Sequence, residues 1–480
     1  MADRPSAAPH LAVIGAGPAG LAATVAAAAH GVRVTLLDAA ARAGGQFHRQ
    51  PAPGLRARRP QAPHHDRRTW QRLQAALDAH LRAGTVRHLT EHQVWFAERQ
   101  PARFTVHALL GPDQEPATVD ADAVLLATGG YEKVLPFPGW TLPGVLTAGG
   151  AQAMLKGALV VPGRTAVVAG TGPLLLPVAA GLAAAGTEIA ALVESAAARA
   201  FVRRARALAA QPGKVAEGAG YAARLLRHGV RTLARHTVVE AHGGDRLEAV
   251  TVAALDGGGR VRPGTGRRIP CDTLAVGHGL LPHTDLAETL GCRLDGLAVD
   301  VDDEQRTDVP GVWAAGEATG VGGHALALAE GHIAGRSAAA RLGGGAADPR
   351  EWAAAARSRT RLRKFAAALG SVYEPPAHWT EQVRDGTVVC RCEEVTAGAI
   401  REAVAELGAG DLRTVKLLTR AGMGWCQGRV CAPGVAGLAG CELAPSRRPF
   451  AHPVPLGVLA REHTRPRGRA DTHPTDGGPS

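Results

Sequence analysis

The stretch HLAVIGAGPAGLAATVAAAAHG near the amino terminus constrains the fold of this chain more than any other feature. A short apolar run, residues 11–14, predicts a buried strand. The motif G-x-G-x-x-G follows as Gly15, Gly17 and Gly20, and alanine-rich sequence with high helix propensity comes next. In such a unit the first glycine permits a tight turn, the second lets the backbone approach a pyrophosphate, and the third lets the helix pack closely on the strand. The pattern predicts a Rossmann-like unit whose helix N-terminus binds the phosphates.

The residues that follow complete this unit. Gly31 ends the predicted helix, and a second predicted strand, residues 32–37, closes on Asp38. An acid about 20 residues after the first glycines accepts hydrogen bonds from ribose hydroxyls in such folds. Because strand, helix, second strand and acid occur in the expected order, we predict dinucleotide binding rather than a glycine-rich turn without a ligand.

A second copy of the unit, RTAVVAGTGPLLLPVAAGLAAAGTEIAALVES, is altered. Gly170 and Gly172 occupy the first two glycine positions, and the next predicted strand closes on Glu194. Leu175 replaces the third glycine, which requires the helix to move away or its surroundings to repack, and Pro177 removes a backbone donor from the first turns. Two interpretations stay open: a working site for NAD(H) or another adenine nucleotide, and a structural relic. A working site would favour NAD over NADP, because a carboxylate repels a 2′-phosphate.

Composition excludes several classes of protein. Of the 480 residues, 46% are hydrophobic and 20% charged, and no apolar run is long enough to span a membrane. The formal charge is +11, but aromatic residues are only 4% and no nucleic-acid-binding motif is present. The seven cysteines are too few and too unevenly spaced for a secreted disulfide framework, and we find no signal peptide. We therefore expect a cytoplasmic protein that binds no nucleic acid.

Further stretches resemble a known family. VLLATGG ends a predicted strand at Thr128 and Gly129, and LPGVLTAGG (142–150) and VPGVWAAGE (309–317) both run from a Pro-Gly turn into a short strand. These stretches resemble the two-dinucleotide flavoproteins, which include glutathione-reductase-like and ferredoxin-reductase-like enzymes. In that family an FAD domain leads through an ATG strand into an inserted NAD domain and returns through a strand ending in Gly-Asp. The resemblance covers roughly residues 10–340.

The resemblance implies an FAD site. Its residues would be Gly15, Gly17, Gly20, Asp38, Gly45, Gln46, Thr128, Gly129, Gly316 and Glu317. Glu317 stands where Asp is usual, and one extra methylene moves the carboxylate by about 1.5 Å, the length of a C–C bond. The helix predicted in GVGGHALALAEGHIAG resembles the one that directs its N-terminus at the isoalloxazine edge.

No obvious catalytic residue emerges from the rest of this region. Disulfide reductases of the family keep a C-x-x-C or C-x4-C pair after the first domain, and this chain has none there. Cys271 and Cys292 lie in apolar surroundings and are predicted to be core thiols. His278, His283 and His324 are predicted to be loop or core histidines.

Four cysteines near the carboxyl terminus form two close pairs. The pattern is C-x-C, 33 residues and C-x4-C, formed by Cys390, Cys392, Cys426 and Cys431. Between the pairs, one helix is predicted to begin after Thr396 and end near Gly408, and another to begin at Asp411 and end by Gly422. Spacing alone leaves a [2Fe–2S] cluster, a zinc site and a disulfide open.

The sequences VVCRCEEVT and GMGWCQGRVC decide between these alternatives by resemblance. They are similar to the [2Fe–2S] domain of bacterioferritin-associated ferredoxin, which implies that the four cysteines ligate the cluster and that Cys441 does not. The whole arrangement resembles the larger accessory subunit of opine oxidase, D-hydroxyproline and proline dehydrogenase, and hydrogen cyanide synthase complexes. That resemblance implies that the partner is a D-amino-acid-oxidase-like FAD subunit. It also leads us to consider three further features. They are a small ferredoxin-like subunit, FMN at an interface between subunits and attachment to the inner membrane through partners.

The predicted fold class is α/β, with two Rossmann-like, glutathione-reductase-type dinucleotide-binding domains and a small helical [2Fe–2S]-binding domain. The expected segments are the FAD domain at 1–145 and 285–345, the NAD-like domain at 146–284, a helical linker at 346–385, the [2Fe–2S] domain at 386–445 and a disordered tail at 446–480. The predicted function is an oxidoreductase subunit that relays electrons through flavin and cluster in a heteromeric amino-acid, opine or proline-type dehydrogenase. The alternatives are a stand-alone NADH-dependent reductase and a scaffold with structural nucleotide sites.

Overall fold

The computed structural model describes residues 8–56, 66–445 and 447–464. The chain begins with a βαβ unit, continues into an antiparallel meander and reaches a short crossover strand. These elements are β1 (His10–Ile14), α1 (Pro18–Ala28), β2 (Arg33–Leu37), α2 (Arg67–Arg82), β3 (Val86–Leu89), β4 (His92–Arg99), β5 (Phe104–Leu110), β6 (Glu115–Ala121), β7 (Ala123–Leu126) and β8 (Gly130–Glu132).

A second unit of the same design follows. Its elements are β9 (Val145–Thr147), α3 (Ala148–Ala153) with a π-helical turn at Met154–Ala158, β10 (Thr165–Gly170), α4 (Leu175–Ala184), β11 (Glu188–Glu194), α5 (Ala198–Arg203), α6 (Ala205–Ala209), α7 (Pro212–Arg227), β12 (Thr232–Ala234), β13 (His236–His242), β14 (Ala249–Ala254), β15 (Arg267–Pro270), β16 (Thr273–Gly277) and β17 (Leu280–Pro282).

The chain then returns to the first unit before it forms the carboxyl-terminal elements. These are α8 (Asp285–Thr289), β18 (Leu294–Asp295), β19 (Ala298–Val299), β20 (Val312–Ala314), a 3-10 turn at Gly316–Thr319, α9 (His324–Leu342), a 3-10 turn at Pro349–Trp352, α10 (Ala353–Gly370), a 3-10 turn at Trp379–Gln382, β21 (Val388–Cys390), β22 (Val395–Thr396), α11 (Ala397–Ala405), α12 (Leu412–Thr419), α13 (Ala432–Ala439) and α14 (Leu456–Thr464).

Both units contain a five-stranded parallel sheet and a three-stranded antiparallel sheet. The parallel sheets have the orders β20-β7-β1-β2-β3 and β12-β11-β10-β16-β9, and the antiparallel ones are β4-β5-β6 and β13-β14-β15. The two Pro-Gly stretches of the sequence form equivalent edge strands, β20 and β9. The ribbon β8–β17 connects the units at the crossover. The predicted pair of Rossmann-like domains is confirmed.

The parallel strands are buried on both faces, which explains why they read as continuous apolar runs. In β1, Leu11 and Val13 pack into one core, and Ala12 and Ile14 pack into the other. Successive side chains of a strand point to opposite faces, so a single run supplies both layers. Helix α9 covers the first sheet beside α1. A Cβ on its Gly331 would lie 2.1 Å from the carbonyl oxygen of Ala19, so the two helices are in backbone contact.

Residues 386–445, which we call the cysteine domain, have their own small core around Val389, Ile400 and Val415. Thr396 and Asp411 cap α11 and α12 as predicted, each accepting a backbone N–H three residues later. The cysteine domain packs on the crossover segment between the two units. The indole Nε1 of Trp140 donates to the carbonyl oxygen of Val388 (2.6 Å).

Residues 447–464 differ from the expected disordered tail. The backbone N–H of Ala451 donates to the carbonyl oxygen of Trp95 (2.8 Å), and Val458 of α14 is buried against Trp95 and Leu109. The prediction is wrong for this part because it relied on the Arg- and Pro-rich composition. That composition gives no sign that Val458 packs against distant apolar residues. Residues 465–480 of the expected tail lie outside the described residues. In the part of the chain that the structure describes, no helix is long and apolar enough to cross a membrane.

Candidate functional site

The first glycine motif forms a closely packed turn between β1 and α1. Gly15 has a φ of +104°, and a Cβ there would lie 2.3 Å from the carbonyl oxygen of Ala127. A Cβ on Gly20 would lie 1.8 Å from the carbonyl oxygen of Gly15. Any side chain at either position would push α1 away from the sheet. Gly17 precedes the helix as its N-cap residue, so the free N–H groups of the first turn stand at this turn.

A second loop approaches the same turn. The backbone N–H of Gly44 donates to the carbonyl oxygen of Ala16 (2.8 Å). A Cβ on Gly45 would lie 2.7 Å from the Cα of Gly17, so the two backbones touch. The side chain of Gln46 accepts hydrogen bonds from the Arg49 guanidinium. The structure thus brings the predicted residues Gly45 and Gln46 to the glycine motif.

Asp38 lies at the end of β2 beside this turn. Its carboxylate accepts the backbone N–H groups of Ala16 (2.5 Å) and Ala40 (2.7 Å). Burial raises the pKa of Asp38 above its ordinary value, against the effect of these two hydrogen bonds. The acid is therefore held at the glycine turn, where a ribose would meet it in a dinucleotide complex.

Thr128 and Gly129 follow β7, and Gly316 and Glu317 follow the adjacent strand β20. Carboxyl ends of parallel strands meet at one edge, and the two turns are neighbours there. A Cβ on Gly130 would lie 3.6 Å from the Glu317 Oε2. Burial raises the pKa of Glu317, against the effect of a hydrogen bond from the Gly323 N–H.

Sequence reasoning missed a residue that supports this edge. Glu330 of α9 is fully buried and accepts the N–H of Gly316 (2.9 Å) and the hydroxyl of Thr319 (2.9 Å). Arg363 of α10 pairs with the same carboxylate at 2.8 Å, so the linker helix also braces the turn. The signal was present, because Glu330 is a lone acid in the otherwise apolar stretch ALALAEGHIAG.

The second glycine motif keeps its shape but not its packing. A Cβ on Gly170 would lie 1.8 Å from the carbonyl oxygen of Gly277, as in a tight Rossmann turn, while Leu175 is 2% exposed and lies in the core beneath α4. Glu194 accepts the N–H groups of Gly172 (3.3 Å) and Ala196 (2.9 Å). The structure thus accommodates Leu175 as a buried core residue.

Glu194 is in an unusual electrostatic environment. Burial raises its pKa to about 7, although several hydrogen bonds favour the charged form. Tyr373, from the segment after α10, lies close to it, and burial together with the Glu194 charge raises the pKa of Tyr373. Its ring also packs edge-on against Phe201, with centroids 5.4 Å apart. The linker therefore lies near enough to Glu194 to feel its charge.

The four cysteines of the carboxyl-terminal pattern come together as two pairs of free thiols. The Sγ atoms of Cys392 and Cys426 are 4.0 Å apart. Two sulfurs that share one tetrahedral metal at about 2.3 Å would lie about 3.8 Å apart, which is close to this distance. Cys390 and Cys431 form the other, buried pair. The pKa of Cys431 is raised mainly by burial and further by the neighbouring Cys390.

The backbone around the cysteines fits a cluster. The N–H of Gly422 points at the Sγ of Cys390 (3.5 Å), and N–H groups directed at sulfur are a feature of iron–sulfur sites. A Cβ on Gly424 would lie 2.1 Å from the Cβ of Cys392, so only glycine permits this approach. Within the described ranges, no three His, Cys, Asp or Glu side chains converge on a single ion. The glycine backbone thus lies close to two of the four cysteines.

The remaining cysteines and histidines singled out in the sequence have different surroundings. Cys271 and Cys292 are buried, and burial raises their pKa values to about 12 and about 11, as expected of core thiols. Burial, with Lys133 nearby, lowers the pKa of His278 to about 4. His324 begins α9 and stacks on Phe47 with ring centroids 3.9 Å apart. His283 lies 3.2 Å from Asp285 at the crossover.

Comparison with known proteins identifies the two parts of the chain. The sequence model of the pyridine nucleotide-disulphide oxidoreductases matches residues 9–341. The chain belongs to this family. A second model, that of the BFD-like [2Fe–2S] binding domain, matches residues 388–439 and includes all four paired cysteines. The predictions of FAD and of a [2Fe–2S] cluster are confirmed, and zinc and a disulfide are no longer needed to explain the cysteines.

Relatives of this flavoprotein match it over most of their length. The HcnB subunit of hydrogen cyanide synthase from Pseudomonas protegens is 34% identical over 433 residues, which cover 87% of this chain and 89% of the relative. One of the subunits of opine oxidase from Agrobacterium tumefaciens is 33% identical over 453 residues, which cover 88% and 84%. The crystal structure of L-proline dehydrogenase from P. horikoshii has the same fold, with a TM-score of 0.65, 20% identity and coverage of 95% and 80%.

Proposed function

We propose that this flavin oxidoreductase is the electron-transfer subunit of a heteromeric amino-acid or amine dehydrogenase. The observation that carries the proposal is the position of the four-cysteine site, which is docked on the crossover segment of a flavin domain that has no redox cysteines of its own. No cysteine precedes Cys271 in the chain. The relatives from hydrogen cyanide synthase and opine oxidase are themselves subunits, which supports the assignment to a complex.

The chain's own residues would bind the flavin as follows. The N–H groups at the start of α1 would meet the pyrophosphate, with Gly15, Gly17 and Gly20 giving it access. Asp38 would accept hydrogen bonds from the ribose. The remaining residues of the proposed site are Gly45, Gln46, Thr128, Gly129, Gly316 and Glu317.

The four paired cysteines would ligate the cluster as thiolates. A flavin takes up two electrons and releases them one at a time, and a [2Fe–2S] cluster carries one. The pair Cys390 and Cys431 is buried in the core of the cysteine domain, while Cys392 is exposed and Cys426 partly exposed. The exposed pair is therefore the side from which a partner or acceptor can be reached.

The proposed partner is a D-amino-acid-oxidase-like FAD subunit that oxidises the substrate. Co-purified complex, mixed anaerobically with candidate amino acids, is expected to show the EPR signal of a reduced [2Fe–2S] cluster. A complex whose partner flavin is reduced by substrate while the cluster stays oxidised would contradict the electron-transfer role. The same preparation tests two further predictions. Its subunit composition would show a small ferredoxin-like subunit, and its flavin content would show FMN at an interface between subunits.

A second candidate function rests on Glu194, which lies beside Gly172 as the acid of a working nucleotide site would. If the chain is an NADH-dependent reductase, NADH mixed with it anaerobically will bleach the flavin rapidly without any partner. Leu175 in place of the third glycine argues against that activity. We therefore expect no rapid bleaching.

A further inference from the structure

One buried ionic network joins the cysteine domain to the flavin domain. Asp285, the first residue of α8, accepts hydrogen bonds from Arg429 Nε (3.0 Å) and Nη2 (2.7 Å) and from Arg448 Nη1 (3.1 Å). The side-chain exposure is 9% for Asp285, 17% for Arg429 and 14% for Arg448. We call Asp285, His283, Arg429 and Arg448 the Asp285 network.

The two arginines also hold the loop that carries the second cysteine pair. Arg429 lies between Cys426 and Cys431, and its Nη1 donates to the carbonyl oxygen of Cys426 (3.3 Å). Arg448 donates to the carbonyl oxygen of the next residue, Gln427. A single carboxylate therefore fixes two guanidinium groups that in turn fix the backbone of this loop.

The other end of the network reaches the proposed flavin site. His283 lies 3.2 Å from Asp285, and its backbone N–H donates to the carbonyl oxygen of Gly129 (2.9 Å). The hydroxyl of Thr128 donates to the carbonyl oxygen of His283 (2.6 Å). A continuous path thus leads from the Thr128–Gly129 turn to Cys426. It runs by hydrogen bonds to His283, along the chain to Asp285, and by hydrogen bonds through Arg429 to the carbonyl of Cys426.

The electrostatics indicate that Asp285 is charged. Burial alone would raise its pKa, but His283 and the two guanidinium groups outweigh that effect and hold the pKa well below its ordinary value. A buried carboxylate between two arginines cannot be neutralised without leaving cations uncompensated. Replacing it should therefore release the loop rather than allow a small local adjustment.

We propose that Asp285 is a positioning residue for electron transfer, which fixes the Cys426–Cys431 loop against the Thr128–Gly129 turn through Arg429 and Arg448. The inference rests on the proposed function. It adds that this network, together with the contact of Trp140 with Val388, holds the cysteine loop at a fixed distance from the flavin site. The exposed pair Arg384–Glu240 also joins the segment ahead of the cysteines to the second unit, but neither partner contacts the cysteine loop.

The test uses the full chain with both cofactors, as wild type and as Asp285→Asn, Asp285→Glu and Glu240→Gln. The first readout is hydrogen–deuterium exchange of residues 421–431. The second is the rate at which the cluster EPR signal appears after photoreduction of the flavin. Asp285→Asn should speed exchange in the loop and slow the appearance of the EPR signal severalfold, because electron transfer slows as the distance between the two sites grows. Asp285→Glu should lie closer to the wild type, and Glu240→Gln should match it.

Wild-type exchange and wild-type rate in Asp285→Asn, at equal FAD and iron content, would overturn the inference. If Asp285→Asn does not fold, Arg448→Gln replaces it, because Arg429 still compensates the carboxylate there. Failure of the proposed function is distinguishable, because the wild-type chain itself would then show no cluster reduction, while loop exchange would still report on the network.

Discussion

In the first dinucleotide-binding unit Gly20 lets α1 lie directly on its turn, whereas in the second unit Leu175 occupies the equivalent position and fills the core beneath α4. Both units nevertheless form the same five-stranded parallel sheet. The acids also differ, since Asp38 lies at a turn built to admit a ligand and Glu194 lies beside Tyr373 of the linker. The apolar pattern of the strands thus maintains the same sheet in both units, although the packing at the third glycine position of the motif differs.

Gly20→Ala in the first unit should have the largest effect on FAD binding and stability. The new Cβ would clash with the carbonyl of Gly15, so α1 must move and its N-terminus loses its place at the phosphates. We expect loss of bound FAD and a decrease in stability of about 3 kcal/mol. The flavin-to-protein ratio after purification and denaturant unfolding measure both. Full FAD occupancy would show that the close packing of the first unit is not required.

Leu175→Ala tests the equivalent position of the second unit, where we expect stability to fall without loss of FAD. Removal of a buried leucine side chain leaves a cavity, and we expect a loss of about 3 kcal/mol in the free energy of unfolding. FAD content should stay at the wild-type level, because this helix does not contact the first site. Loss of FAD in this variant would mean that the two units are not independent.

A smaller effect is expected from Glu194→Gln, read as a function of pH. The folded-state pKa of about 7 lies above the ordinary 4.5. The stabilisation from this group is therefore complete below about pH 4.5 and is lost as pH rises through about 7. Between pH 5 and pH 8 the wild type should lose about 2 kcal/mol more than the variant. Parallel stability curves for the two proteins would contradict the buried environment of Glu194.

Local signals account for what the sequence predicts well. The caps Thr396 and Asp411 and the glycine turns depend on residues a few positions apart, and the structure has them where the pattern places them. The cysteines pair differently, because Cys392 meets Cys426 across 34 residues rather than Cys390 in its own C-x-C motif. The contact of Asp285 with Arg429 spans 144 residues and depends on how two domains meet, so no local pattern reveals it. The anchoring of Val458 on Trp95 was hidden for the same reason, since composition says nothing about a distant apolar partner.

The central claim is that one chain carries FAD and a [2Fe–2S] cluster held by the four paired cysteines. The most direct measurement is iron content and the EPR spectrum of anaerobically purified, dithionite-reduced Cys392→Ser, with Cys441→Ser as the matched control. We predict that Cys392→Ser loses the cluster signal and keeps its FAD, while Cys441→Ser keeps both. A cluster signal that survives in Cys392→Ser, or zinc in place of iron in the wild type, would contradict the account.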